Sequence, residues 1–391
     1  MLPLDGIKVV DLSHAAAGPC CTMLLAGMGA DVIKIEPVDG ESFRNLFNGS
    51  FLMNLGRNKR DMALNLKDKE GQEIVLKLVE KADVLMENFT PGTTEKLGLG
   101  YNIVNQINPG IVYCSISGYG QSGPYRERPA LDPVAQAISG VMMLTGEADR
   151  LPARIGPSTI DYGTGMMGAY AIALALMNRE KSGKGQRIDL ALFDTAIFYM
   201  SHFITNYSLT GQLPVRMGSG MSAFAPYQVF EAKDKLVFIG VTSEKTWKGF
   251  CQVLSLDSLV EDPLYITNND RCQNREELVS ILTPLIKRYG SEDLITKLLA
   301  VDIPCAPLLD VAEVIEDSHV VERGTIMDVD YQGKGKSKVV HMPVSFSEMM
   351  PLSSRAPMLG EHTTEVLEEL GYNKAEISRF VEKGVVKQHV L

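Results

Sequence analysis

Five short runs, IKVVDL (7–12), DVIKIE (31–36), DVLMEN (83–88), IVYCSISG (111–118) and RIDLAL (187–192), punctuate the first half of the chain. They constrain its fold more than any other feature. Short apolar runs bounded by glycine, proline or charge read as buried strands. Stretches of helical period separate them, over 20–29 and 68–82. Parallel strands need such crossovers. The alternation predicts an α/β fold with a Rossmann-like parallel sheet and helices on both faces. Ligands in such sheets sit beyond the carboxyl ends of the strands. The loops at 13–18, 88–92 and 118–124 are therefore the first places to look for a site.

Further along, GPSTIDYGTGMMGAYAIALALMNRE predicts a buried helix from Asp161 to about Arg179, and FDTAIFYMSHFITNYSLTG a long helix over 193–211. A glycine-rich break over 211–225 reads as a linker. Beyond it a hairpin turning at Lys233–Asp234 and helices at 244–255, 274–288 and 291–300 predict a smaller α+β domain over 226–325. Residues 326–391 then return to the large domain begun by 1–210, with a hairpin around YQGKGKSK and helices at 361–371 and 374–384.

Charge narrows the possible partners. A net charge of −10 argues against nucleic acid, whose phosphates demand a basic face. Cys20, Cys21, Cys114, Cys251, Cys272 and Cys305 form no CxxC pair, and with the six histidines give no metal-ligand spacing. Scattered thiols of this kind suit a reducing, cytoplasmic setting, and no metal is expected. The apolar start lacks a basic n-region, and no uncharged apolar run reaches the ~18 residues of a membrane span. The expectation is a protein neither secreted nor membrane-embedded.

Four constellations could carry chemistry. Asp161 opens a helix whose neighbourhood is uncharged, which suits a cap or a poorly hydrated nucleophile. Gly163, Gly165 and Gly168 follow it, where a helix would prefer alanine, so a ligand or another backbone comes close. GRNKRDMALNLK (56–67) gathers Arg57, Lys59, Arg60 and Lys67, either a solvated turn or a phosphate site to which Arg44 could add. ENFTPGTTEKLG (87–98) is a strand–turn–helix joint that would aim amides, Asn88 and Lys96 at a ligand. MGSGMSAF (217–224), with Gly218, Ser219 and Gly220, reads as a linker or a mobile flap. No GxGxxG follows the first strand, and neither GxxxxGK[ST] nor GxSxG occurs. His14 ends the first strand, where a lone histidine usually makes a structural bond.

Taken in order, PLDGIKVVDLSHAAAGP, MGADVIKIE, RNKRDMALNLK, ADVLMENFTPG, GYGQSGPY, DPVAQAISG, the Asp161 helix, KSGKGQRIDLALFD, APYQVFEAKD and RAPMLGEHTTEVLEELG resemble one family across nearly the whole chain. It is the family III CoA-transferases, the group of formyl-CoA transferase and carnitine CoA-transferase, which includes α-methylacyl-CoA racemase. The resemblance implies that Asp161 is the nucleophile. It would pass through an aspartyl–acyl anhydride and an aspartyl-CoA thioester, and an ordinary aspartate ionised at pH 7 needs no helper base. The resemblance also implies coenzyme A contacts at Ala15, Ala16 and Ala17, at Arg60, Leu64 and Lys67, and at Asn88, Phe89 and Lys96. Coenzyme A and acyl-CoA enter as substrates, with a small carboxylic acid as acceptor and no tightly bound cofactor. An interlocked homodimer is implied as well. Pro37 stands where some members carry an arginine, so Arg44 or Arg60 would replace that contact.

The racemase branch carries a His–Asp pair where this chain has Leu131–Asp132. Racemisation needs a proton acceptor on each face of the carbon, and leucine is none. Transfer is therefore the leading expectation, with racemisation and non-catalytic coenzyme A binding as the alternatives.

Overall fold

The computed structural model describes residues 1–331 and 335–389. From the amino terminus the elements are β1 (Lys8–Asp11), α1 (Ala17–Gly27), β2 (Asp31–Glu36), α2 (Ser50–Leu55), β3 (Arg60–Leu64) and α3 (Lys69–Val79). There follow β4 (Val84–Glu87), α4 (Thr93–Lys96), α5 (Tyr101–Ile107), β5 (Val112–Ser117), α6 (Asp132–Ile138), α7 (Thr159–Ser182) and β6 (Gln186–Ala191). Next come α8 (Leu192–Tyr199), α9 (Ser201–Thr210), β7 (Tyr227–Glu231), β8 (Leu236–Gly240) and α10 (Glu244–Leu254). Then come α11 (Asn268–Gln273), α12 (Arg275–Ile286), α13 (Ser291–Leu299), β9 (Cys305–Pro307), α14 (Val311–Glu316) and α15 (Ser318–Glu322). The chain closes with β10 (Ile326–Tyr331), β11 (Gly335–Val340), α16 (Thr363–Glu369), α17 (Lys374–Glu382) and β12 (Val386–Lys387).

Two compact units result, 1–141 with 155–204 and 319–391, and 142–154 with 205–318. The first holds a seven-stranded sheet in the order β12-β3-β2-β1-β4-β5-β6. All its pairings are parallel except that of β12 with β3, where Val386 faces Leu64. Two apolar cores cover its faces. One brings Ile74, Val104, Val366 and Phe380 of α3, α5, α16 and α17 against the sheet. The other brings Cys21, Ala135, Ile160 and Ala196 of α1, α6, α7 and α8. The strand order reverses between β1 and β4, the switch point where such sheets bind ligands.

The second unit is α+β. Its antiparallel sheet runs β7-β8-β9, and Trp247, Phe250, Leu278 and Leu294 build its core. Arg271 is fully buried there, donating to Glu244 and to the Ala225 and Tyr265 carbonyls. The expected hairpin around YQGKGKSK is β10–β11, and its turn, 332–334, lies outside the described residues.

Two expectations about helices are corrected. The long helix over 193–211 is two, since Met200 N–H closes α8 on the Ile197 carbonyl before α9 begins. Helix α7 is not buried all round. Ile160, Ile172, Ala175 and Leu176 are enclosed, whereas Tyr162, Met166, Tyr170, Leu174 and Met177 face outward. Its glycines serve packing. A Cβ on Gly165 would lie 2.6 Å from the Ala17 carbonyl and 2.8 Å from Cys20 Cβ. One on Gly168 would lie 3.0 Å from Cys21 Sγ. Small residues there let α7 lie directly on α1, so the close neighbour is another backbone and not a ligand.

Candidate active site

The loop after β1 is built on buried charge. Asp11, wholly buried, accepts from Ser13 N at 2.9 Å, Thr22 Oγ1 at 2.6 Å and Lys59 Nζ at 3.1 Å. Burial would raise this carboxyl, but Lys59 and Lys34 overcome it and hold it below the usual carboxylate range. Lys34 donates to the Ser13 carbonyl, tying the loop from beneath. Asn88, at the end of β4, spends both ends of its amide on the His14 peptide: Oδ1 accepts from His14 N at 2.7 Å and Nδ2 donates to His14 O at 2.8 Å. It bridges the switch point and fixes the two loops together.

Glu41, nearly buried, faces the His14 ring nitrogen and the Ala15 N–H at 3.2 Å each. Ala15 is left-handed at φ 59°, a conformation an alanine adopts only where its surroundings impose it. Helix α1 then starts with no side-chain cap. With the Ala15 N–H taken by Glu41, Ala16 and Ala17 offer the amide end of α1, which favours an anion.

These residues line a cleft of about 370 Å³ with His14, Phe43, Phe51, Asn88, Ser117, Leu131 and Asp161. Helix α7 begins at Thr159 with Ser158 at the cap position, so Asp161 lies inside the first turn and is not itself the cap. Burial, and then the neighbouring Asp132, push its carboxyl up to about 7. The expectation of an ordinary, fully ionised aspartate is thereby corrected, because near neutrality this group is divided between its two forms. Cys20, close by, is pushed up to about 11 by burial and stays a thiol. His14 Nδ1 is turned to Glu41, so no serine–histidine or cysteine–histidine pair faces the cleft among the described residues.

The other expected contacts scatter. Phe89 sets its ring against His14, with centroids 5.1 Å apart. Lys67 and Lys96 are exposed, with ammonium groups unbonded among the described residues. Gly218, Ser219 and Gly220 form a turn in the second unit, where Gly218 N bonds Gly146 O and Ser219 Oγ accepts from Val229 N, both at 3.0 Å.

The basic cluster is corrected. Lys59 is wholly buried on Asp11. Arg60 sits at the amino end of β3, away from the cleft, paired with Asp31, Glu365 and Glu369. It borders a different hollow with Lys8 and Lys81. Arg44 is consumed by Glu36 and Asp61. Leu64 is fully enclosed in the core and offers a ligand no surface. Arg57 is buried with no carboxylate within ion-pair distance among the described residues; it donates to the Asn54 carbonyl.

Sequence reasoning missed Glu41, Asp132 and Gln136. Glu41 lies in a charged loop without periodicity, and the other two lie in DPVAQAISG, which stood out for its resemblance and for the neighbouring Leu131 but not for these two side chains. Among the described residues no group of three or more His, Cys, Asp or Glu is arranged to hold a metal, and no helix is long and apolar enough to cross a membrane.

A doubly wound sheet whose switch-point cleft sets a half-buried carboxylate near the amide end of a helix defines the class, an α/β protein. The family is specific: the chain belongs to CoA-transferase family III, whose profile matches residues 4–363. It is 36% identical to succinyl-CoA:glutarate CoA-transferase of Homo sapiens, over 99% of this chain and 90% of that protein. It is 35% identical to succinyl-CoA:mesaconate CoA-transferase of Haloarcula marismortui, over 94% of this chain and 96% of that one. The crystal structure of a CAIB/BAIF family protein from Brucella suis matches it with a TM-score of 0.86 at 36% identity, covering 94% of this chain and 99% of that chain.

Proposed function

We propose that this enzyme moves coenzyme A from an acyl-CoA to a free carboxylic acid, with Asp161 as the nucleophile. The carboxylate adds to the donor thioester carbonyl and expels coenzyme A as thiolate, leaving an aspartyl–acyl anhydride. The thiolate attacks the aspartyl carbonyl, releases the donor acid and forms an aspartyl-CoA thioester. The acceptor carboxylate displaces the thiolate from that thioester to give a second anhydride. The thiolate then takes the new acyl group and frees Asp161. Each bond formed replaces one broken, and no external proton or electron is required. The observation that carries this reading is a half-buried carboxylate opening on the cleft with no serine–histidine or cysteine–histidine pair beside it among the described residues.

The Ala15–Ala17 turn with the open amides of Ala16 and Ala17, the Phe89 ring, and the Lys67 and Lys96 ammonium groups, unbonded among the described residues, are the proposed coenzyme A contacts. Names of relatives favour dicarboxylic donors and acceptors: the Homo sapiens protein is named for succinyl-CoA and glutarate. Arg57, a buried cation with no acidic partner among the described residues, suits such a substrate.

Hydroxylamine added during turnover with succinyl-CoA is expected to convert Asp161 to a hydroxamate, found by peptide mass spectrometry. A chiral 2-methylacyl-CoA in deuterated water is expected to gain no deuterium at C2. Deuterium uptake without any aspartyl adduct would assign racemisation instead.

The homodimer is likewise a proposal. Tyr162, Met166, Tyr170, Leu174 and Met177 make an exposed apolar stripe along α7, of the kind that marks an interface. Light scattering is expected to give twice the 42.8 kDa chain mass. A monomer at micromolar concentration would remove this proposal.

A further inference from the structure

Helix α7 lacks a cap of its own. The Ser158 side chain accepts no bond from the first turn, yet the first amides of a helix must find partners outside it. Two of them, Ile160 N and Asp161 N, donate to Asp132 Oδ2 on α6, at 2.8 and 3.1 Å. Asp132 Oδ1 accepts from Gln136 Nε2. Gln136 Oε1 accepts from Ile155 N at 2.9 Å. Asp132 is 3% exposed and Gln136 is fully buried. The relay has a single direction, because a peptide N–H at Ile155 can only donate. That fixes the Gln136 amide, and position 132 must then accept at both oxygens. Only a carboxylate does so.

We infer that Asp132, locked by Gln136, is a positioning residue of the transfer reaction: it holds the peptide N–H of Asp161 and keeps a fixed negative charge beside the nucleophile. This rests on Asp161 being the nucleophile. The groups around Asp161 are Cys20 from α1, Tyr162 on α7, Tyr199 of α8 facing Asp132, Arg57 facing Tyr162, Lys59 behind Cys20 and His14 on the cleft wall. Asp132 is the charge that acts on Asp161 itself. When Asp161 takes the acyl group it becomes neutral, and the repulsion between the two carboxylates disappears. The charge therefore works against the resting enzyme and not against the acylated one, which favours bond formation.

The test compares wild type, Asp132→Asn and the double variant Asp132→Asn/Gln136→Glu, read as kcat/KM for succinyl-CoA from pH 5 to 9. In the single variant, the asparagine amide meets the Gln136 amide donor to donor, or else turns from the α7 amides. A fall of about tenfold or more is expected, in line with an unsatisfied buried donor. In the double variant asparagine still accepts from both α7 amides and donates to the new carboxylate at position 136, whose other oxygen takes Ile155 N. Every bond is kept, but the charge stands one side chain further off. Activity should recover most of that loss, and the acid limb should move to lower pH by about one unit. A merely structural role would restore the rate and leave the limb at its wild-type position, which overturns the electrostatic half of the inference. A double variant no better than the single one, or unable to fold, overturns the relay. Hydroxamate trapping at Asp161 in wild type is read separately, so a wrong nucleophile and a wrong positioning residue give different results.

Discussion

Asp161→Asn is expected to abolish transfer and, above pH 7, to make the protein more stable than wild type. The loss follows from removing the nucleophile: turnover should fall at least about a thousandfold, as for other enzymes stripped of one. Stability follows from linkage. The carboxyl rises from 3.8 to about 7 on folding. Between those values the folded state binds more protons than the unfolded one, so stability falls as pH climbs through that window. The deficit is complete above about pH 7. At about 1.4 kcal/mol per unit it reaches roughly 4 kcal/mol at most. Asparagine cannot ionise and is spared it. Urea unfolding should show a gain of about 2–4 kcal/mol at pH 8 that shrinks toward zero near pH 4. Asp161→Ala is the companion variant, since deamidation of asparagine would regenerate the aspartate. A tenth of wild-type turnover in the alanine variant would sink the nucleophile assignment. An unchanged stability at pH 8 would show that the carboxylate is not strained.

That strain is the part of the site the sequence could least express. The parallel sheet was legible, because strands buried on both faces leave mostly apolar runs such as IVYC (111–114), and helical stretches separate them. Asp161 was legible as an isolated charge opening an apolar helix. Its environment was not. Asp132 lies 29 residues upstream, and only the packing of α6 on α7 makes them neighbours. The same limit explains Arg60 and Leu64. A strand has two ends and two faces, and a local reading of β3 does not say which end carries the ligand. The register of β2 with β3 does, by placing Ile33 beside Arg60 and Glu36 beside Ala63. Strand β12 was missed because two residues carry no period. The glycines after Asp161 showed that something comes close, and the sequence left open whether it was ligand or helix.

Lys59 gives the second large effect, and it decides how the basic cluster should be understood. Three cations in four residues look like a phosphate site while they are imagined at the surface. Here Lys59 is wholly enclosed, donating to Asp11 Oδ2 at 3.1 Å, the Pro19 carbonyl at 3.0 Å and Thr22 Oγ1 at 2.7 Å. Burial pulls its ammonium below the ordinary lysine value, and Asp11 pulls it back. Lys59→Met leaves Asp11 buried with Lys34 as its remaining cation. Breaking one side of a buried pair costs about 3–5 kcal/mol, whereas replacing both sides is often close to neutral. Urea unfolding at pH 7 should therefore show that loss in Lys59→Met and recover most of it in Asp11→Asn/Lys59→Met. The pH dependence is distinctive too. A carboxyl held below its ordinary value stabilises the fold above the unfolded value of 3.8 and loses that contribution as pH falls toward its folded value. The difference between wild type and Lys59→Met should thus be full at neutral pH and narrow in acid. Because the Asp11–Lys59 pair anchors Ser13 and the start of α1, the single variant should also raise KM for acyl-CoA more than it lowers kcat. If Lys59→Met instead unfolds at the wild-type urea midpoint and loses only acyl-CoA affinity, the lysine reaches the ligand in solution and the buried pair does not hold the loop.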